Sequence, residues 1–166
     1  RVPAGPVLDV GCGGEARLVL HLRAHGIDAV GIDRSLSAAH AADGVGARVD
    51  WLSYAPPPRQ FRTVLSHHAF SLHALHALAG SDAEAARGFR RAYDRLLDGL
   101  RDGGVMAYAP GLPMWEAALP TELRVVRQPL PAALQPALAP LSRQAGQDVA
   151  YTAHVTRTGP AAATGE

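Results

Sequence analysis

Five short apolar runs, at residues 7–10, 29–33, 47–51, 61–66 and 105–109, alternate with stretches whose apolar residues fall at helical spacing, and this alternation narrows the fold more than anything else in the chain. Val7-Leu8-Asp9-Val10 runs into Gly11-Cys12-Gly13-Gly14, as a buried strand runs into a tight turn. Residues 15–25 then suit a helix ended by Gly26, Ala29–Asp33 a second buried strand, and Ser35 the cap of a short helix to about His40. Ala47–Trp51 reads as a weak third strand and Phe61–Ser66 as a fourth, with the proline run at 56–58 forming a surface loop between them. Ala69–Ala79 reads as helix. Asp82–Arg101 is the clearest helix, because Phe89, Tyr93, Leu96, Leu97 and Leu100 form one stripe. Asp102-Gly103-Gly104 is expected to stop it before a fifth strand at Val105–Ala109. Two later strands are expected at 123–127 and 149–156, around a Pro- and Ala-rich stretch at 129–140.

Strand–helix alternation of this kind implies a mostly parallel α/β sheet with right-handed crossovers and helices on both faces. Ligands of such sheets bind beyond the carboxyl ends of the strands, where the strand order reverses. The length of 166 residues suits one domain, expected over 1–158 with a flexible tail at 159–166. The composition is 48% hydrophobic and 19% charged, that of a globular chain, and the net charge is +1. That balance gives no electrostatic reason to expect nucleic acid or an anionic membrane as partner. No apolar run approaches the ~18 residues of a spanning helix. A single cysteine excludes an internal disulfide and a cysteine-based zinc cluster, which favours a reducing, cytoplasmic setting. The basic residues are all Arg, and with the many Ala, Gly and Pro they fit a GC-rich bacterial genome.

Three acids carry most of the chemical information. Asp9 stands two residues before Gly11, at the end of a buried strand. A carboxylate there is costly unless it meets a donor, would repel a diphosphate, and suits a ligand with an ammonium and a sulfonium. Asp33 closes the second strand, about 20 residues beyond the turn, where a carboxylate accepts ribose hydroxyls. Asp50 can accept from an adenine amino group while Trp51 packs near the ring. His67 and His68, at the end of the fourth strand, are the candidate bases, with His73 and His76 on the next helix as further candidates. The histidine stretch has no Asp or Glu, so no metal is expected there. Phe70, Tyr108 and Trp115 read as core or lid packing, with a wall of the acceptor pocket as their functional alternative.

Taken together, residues 6–110 resemble the class I S-adenosylmethionine-dependent methyltransferase family, with its motifs in order. Val-Leu-Asp-Val-Gly-Cys-Gly-Gly at 7–14, Val-Gly-Ile-Asp-Arg-Ser at 30–35 and Val-Asp-Trp at 49–51 are similar to the first three. Val-Leu-Ser-His-His at 64–68 and Leu-Arg-Asp-Gly-Gly-Val-Met-Ala-Tyr at 100–108 are similar to the fourth and fifth. The resemblance implies a Rossmann-like, doubly wound seven-stranded sheet ending in an antiparallel hairpin, and S-adenosylmethionine as cofactor. It implies that Asp9, Gly11, Cys12, Gly13 and Gly14 hold the methionine part. Asp33 and Arg34 would lie by the ribose, Asp50 and Trp51 by the adenine, and Ser66 with His67 under the sulfonium. Glu15 departs from the pattern, standing where many members have a third glycine. The fourth motif lacks the Asn/Asp-Pro-Pro-aromatic form of enzymes that methylate base or amide nitrogens, so a small-molecule acceptor is expected. Two alternatives stay open: a non-catalytic or partner-dependent subunit of this fold, and a nicotinamide-dependent oxidoreductase, whose fingerprint Gly11-x-Gly13-x-x-Ala16 imitates; a homodimer or a partner subunit is the expected association.

Overall fold

The structure, a computed structural model, describes residues 5–80 and 82–159. In chain order the elements are β1 (Val7–Val10), α1 (Arg17–Ala24), β2 (Ala29–Ile32), α2 (Ala38–Ala42), β3 (Gly46–Ala47) and β4 (Phe61–His67). They are followed by α3 (Phe70–Ala79), α4 (Ala83–Asp98), β5 (Leu100–Ala109), α5 (Pro113–Glu116), β6 (Leu123–Pro129), α6 (Gln135–Ala145) and β7 (Tyr151–Arg157). The strands form one seven-stranded sheet in the order β3-β2-β1-β4-β5-β7-β6. β1 to β5 run parallel, and β7 is antiparallel to both β5 and β6, which is the expected terminal hairpin.

Alternate residues of β1 feed two separate cores, so both faces of the sheet are covered. Val7 packs with Val19 and Leu22 of α1 and with Ala29 and Leu36. Leu8 and Val10 point the other way, toward Phe70 and Leu75 of α3 and Tyr93 and Leu96 of α4. β2 lies on one side of β1 and β4 on the other, so the chain reverses its winding at the end of β1, where a ligand crevice is expected. No helix among the described residues is long and apolar enough to cross a membrane.

Several local readings are corrected. Ser37, not Ser35, caps α2, its side chain accepting from His40 N–H. β3 is only two residues long: Asp50 folds the following chain into a turn, accepting from Leu52 N–H on its side chain and from Ser53 and Tyr54 N–H on its carbonyl. That turn swings Trp51 inward to 8% exposure. α4 ends at Asp98, and Leu100, the last member of its apolar stripe, is already in β5. Asp102-Gly103-Gly104 does not stop the helix but makes an irregularity inside β5, where the register against β4 shifts between Phe61 and Thr63. Gly103 takes φ +70° there, and Asp102 pairs with Arg59. The stretch at 129–140 runs into α6, whose first turn tolerates a proline because its N–H groups need no helical partner. The short α5 was likewise hidden between Pro110 and Pro120. Of the expected tail, residues 160–166 lie outside the described residues.

Candidate functional site

At the end of β1 the backbone turns through Gly11 (φ +84°) and Gly13 (φ +73°), a conformation that residues with a side chain adopt only under strain. Gly11 and Cys12 donate to Ile32 O at 2.9 and 3.3 Å, so the turn is stitched to the end of β2. A Cβ added at Gly13 would meet nothing within 4 Å, which leaves the space above the turn open. Gly11 is the opposite case. Its Cα lies against Ala69, too close for any side chain, with the Trp51 ring beside it.

Asp9 is 5% exposed, and no hydrogen bond from the described residues reaches its carboxylate. Burial first, and the charge of Asp33 second, push its pKa up to about 6. Cys12 turns its sulfur toward β2, where only a glycine at position 31 leaves it room. Burial, then Asp9 and Asp33, push this thiol up to about 12, so it stays protonated at neutral pH. Asp33 is half-buried and already engaged. Gly13 N–H donates to its Oδ2 at 3.0 Å, and the Ser35 N–H and hydroxyl both donate to its Oδ1 at 2.7 Å. Burial alone would raise its pKa, but these bonds and the charge of Arg34 outweigh it and hold the group below its ordinary value.

A cleft of about 570 Å³ opens beside this turn. Asp33, Arg34 and Ser35 form one wall, Arg48 and Trp51 another, and His68, Ala69 and His73 the third. The structure therefore brings together four of the sequence-predicted residues, Asp33, Arg34, Trp51 and His68, with the further candidate His73. His73 tilts onto the Trp51 ring at 5.6 Å between centroids. Asp9 and the glycine turn do not line the cleft, whereas Ala69 and Trp51, which do, lie against Gly11. Asp50 stands behind Arg34, in an ion pair of 3.8 Å. Glu15 is exposed and does not plug the space above the turn.

At the end of β4 the expected residues separate. Ser66 is buried, and its Oγ accepts from Phe70 N–H at 3.1 Å, so it starts α3 rather than facing the cleft. His68 takes φ +53° and faces the cleft. His67 is exposed and meets the His68 ring edge-on at 4.2 Å. Burial and the neighbouring His68 lower the pKa of His67, favouring its neutral form. His76 is exposed and does not line the cleft. Among the described residues no group of three or more His, Cys, Asp or Glu is placed to hold a metal ion.

Sequence reasoning missed Arg48, Ser35 and Ala69 as cleft residues. Ser35 was legible as the donor that follows Asp33-Arg34, but its hydroxyl had been assigned to a helix cap. It also missed a second polar centre beyond the end of β5. The Glu116 side chain, fully enclosed, accepts from Tyr108 OH, Leu112 N–H, Arg127 Nε and Tyr151 OH at 2.7–3.0 Å. Tyr108 is thereby shown as a packing and bonding residue of the core, its hydroxyl shared with Tyr93 at 3.0 Å.

No protein-family model and no curated protein matches the chain. Solved structures do. An S-adenosylmethionine-dependent methyltransferase from Mesorhizobium loti aligns over 95% of this chain and 94% of its own, with TM-score 0.53 and 15% identity. The plantazolicin methyltransferase BpumL, in complex with S-adenosylhomocysteine, aligns over 96% and 77%, with TM-score 0.58 and 14% identity. A methyltransferase from Bacteroides fragilis, also with S-adenosylhomocysteine, aligns over 95% and 74%, with TM-score 0.55 and 15% identity. The chain has the fold of the class I S-adenosylmethionine-dependent methyltransferases.

Proposed function

We propose that this chain is an S-adenosylmethionine-dependent methyltransferase acting on a small-molecule acceptor, with residues 1–158 working as one catalytic unit. One observation carries the reading: Asp9 is a nearly enclosed carboxylate at the switch point of the sheet, beside a glycine turn, with no hydrogen-bond donor among the described residues. Such a group is costly until a counter-charge reaches it. A diphosphate at this turn would add repulsion from both Asp9 and Asp33, which weighs against a nicotinamide cofactor. A ligand with an ammonium group relieves that cost, and the open space above Gly13 gives its backbone-contacting part a place to lie.

S-adenosylmethionine, when bound, supplies a methyl group already activated on a sulfonium. Asp9 would face the amino-acid end, with Gly11, Cys12, Gly13 and Gly14 offering backbone at the turn. Asp33 has three of about four acceptor positions filled by Gly13 and Ser35, so it has room for one ribose hydroxyl rather than two. Trp51 and Arg34 would flank the base, with Asp50 holding Arg34. His68, which lines the cleft from the end of β4, would take the proton of the acceptor's hydroxyl, with His67 against its ring. Holding donor and acceptor in line supplies about 7–11 kcal/mol of barrier lowering in well-oriented systems.

Calorimetric titration with S-adenosylhomocysteine tests this reading. Saturable binding with a raised melting temperature is expected. No heat up to millimolar ligand, with an unchanged melting temperature, overturns it. A second reading, a fold-bearing subunit that acts only with a partner, is favoured by the contact of Ala69 and Trp51 on Gly11, which narrows the way from the open cleft to Asp9. It predicts cofactor binding and turnover only after the partner is added.

A further inference from the structure

β6 is an outer strand of the sheet and, among the described residues, pairs only with β7. An edge strand presents a row of main-chain groups that can pair with a further strand. Two bonds show which residues present them here. Thr158 N–H donates to Glu122 O at 2.8 Å and Leu130 N–H to Ala150 O at 3.0 Å, both in the register of β6 on β7. Hydrogen-bonded pairs recur at every second residue of an antiparallel ladder. Arg124, Val126 and Gln128 therefore give their main-chain groups to β7, while Leu123, Val125, Arg127 and Pro129 turn theirs outward. Leu123 N–H is already given to Pro120 O at 2.9 Å, and Pro129 has no N–H. Among the described residues, the free donors of this edge are Val125 and Arg127 N–H, one on each side of Val126.

Val126 is the most exposed large apolar side chain among the described residues, at 65% against 42% for Leu134. It shares its face of the strand with Arg124 and Gln128, both exposed. Val125 and Arg127 lie on the opposite face. There the Arg127 guanidinium bonds Glu116 at 2.7 Å and lies over the Tyr151 ring, so its charge is matched within its own chain.

The side chains select one way for this edge to meet its own copy. A two-fold axis through Arg127 would set two Arg127 side chains against each other, and like charges directly opposite are destabilising. An axis through Val125 would set Val126 on Arg124. An axis through Val126 avoids both. It joins the two valines as a non-hydrogen-bonded pair, the kind whose side chains come closer. It also sets Arg124 against Gln128, whose amide oxygen can accept from a guanidinium. Val125 N–H then donates to the Arg127 carbonyl of the second copy, and Arg127 N–H to its Val125 carbonyl, each bond made twice by symmetry. Arg and Pro are residue types that keep edges from indiscriminate pairing. In this register neither is opposed: Arg124 meets an amide, and Pro129 ends the ladder. We infer that β6 is the self-association surface of this protein: two copies pair antiparallel through β6 about an axis at Val126, joining their sheets into one. This goes beyond the methyltransferase reading and does not depend on it.

Sedimentation velocity of the full chain, from micromolar to millimolar concentration, tests the surface. A concentration-dependent dimer is expected. Val126→Asp sets two carboxylates against each other at the axis and should weaken the dimer at least about tenfold, as should Val126→Lys with two ammonium groups. An equimolar mixture of these two variants should recover the dimer, because opposite charges then meet. Val125→Pro removes an outward N–H that β7 does not use, so it should lose the dimer and keep the fold. Oxidation reads the register. Val126→Cys should cross-link copy to copy, because the Cα atoms of such a pair lie within disulfide reach. Arg124→Cys should not, since the same residue of the second copy lies about 13 Å along the strand. The parent, with Cys12 alone, is the control. A monomer at every concentration overturns the inference. So does a dimer that persists in Val126→Asp with unchanged circular dichroism, which would put the contact elsewhere. Cross-linking through Arg124→Cys in place of Val126→Cys would overturn it too, by setting a different register.

Discussion

The Gly13 N–H donates to Asp33 Oδ2 at 3.0 Å, joining the turn after β1 to the end of β2 across 20 residues of chain. The bond makes Asp33 a builder of the cleft before it is a ligand for anything in it. The acid that ends β2 fixes the conformation of the glycine turn, and Ser35 fixes the acid in return.

Asp33→Asn separates these two duties. The amide keeps one acceptor oxygen for a backbone N–H but loses the charge and the second acceptor. The fold should weaken by about 1–2 kcal/mol, since hydrogen bonds to a charged group contribute about 1.5–3 kcal/mol and some are kept. Affinity for S-adenosylhomocysteine should fall by more than about tenfold. Urea unfolding and calorimetry check the pair. Unchanged affinity in a folded variant would remove Asp33 from the ligand site and leave it a purely local brace.

Gly11→Ala tests the close approach of Ala69. The new methyl needs a left-handed backbone, at roughly 1–2 kcal/mol, and also collides with Ala69. Loss of about 2 kcal/mol or more is expected, measured as a lower urea midpoint with an unchanged m-value. Gly13→Ala has the same backbone cost but open space, so it should cost about 1–2 kcal/mol only. Equal losses in the two variants would show that the Ala69 contact is not tight.

Glu116 supplies a prediction that does not depend on function. Glu116→Ala leaves Arg127 without its carboxylate and the buried hydroxyls of Tyr108 and Tyr151 without their acceptor. Arg127 is half-exposed and regains water, so the loss comes from the buried donors of Tyr108, Tyr151 and Leu112 left unpaired, at about 1–3 kcal/mol each. Tyr151→Phe removes one donor and should cost about 1 kcal/mol. Equilibrium unfolding at neutral pH checks both, and a loss below about 1 kcal/mol for Glu116→Ala would refute the hub.

The sheet was legible because strands buried on both faces, as β1 and β2 are, read as short continuous apolar runs between stretches of helical period. Legibility failed where one residue type had two uses. Asp102-Gly103-Gly104 has the composition of a helix stop, yet Gly99 had already ended α4, and the glycines were needed for the irregularity that lets β5 pair with β4. Prolines hid α6, because a proline in a first turn and a proline in a loop look alike in sequence. In the site, Asp9, Asp33 and Trp51 announced themselves by type and position. Arg48, Ala69 and Glu116 could not, since their roles come from contacts between segments far apart in the chain.

Asp9 sets stability against binding. Its pKa is about 6 in the folded chain and near 3.8 when unfolded, so the folded state holds its proton longer. The sign follows: between those two values stability declines as pH rises, and above about 6 the fold carries the full cost of an enclosed charge. Two pK units correspond to at most about 3 kcal/mol. Asp9→Asn should therefore raise stability at about pH 8 by roughly 1–3 kcal/mol, and flatten its pH dependence between about 4 and 6. The same change should abolish binding of S-adenosylhomocysteine, whose ammonium needs the carboxylate. In the unaltered protein, affinity should hold steady above about pH 7 and weaken as the pH drops through about 6, where Asp9 takes up its proton. Calorimetry between about pH 5 and 8 reads this directly. A flat profile, or an Asp9→Asn variant that binds as tightly as the parent, would mean that the buried acid serves something other than the ligand's amino group.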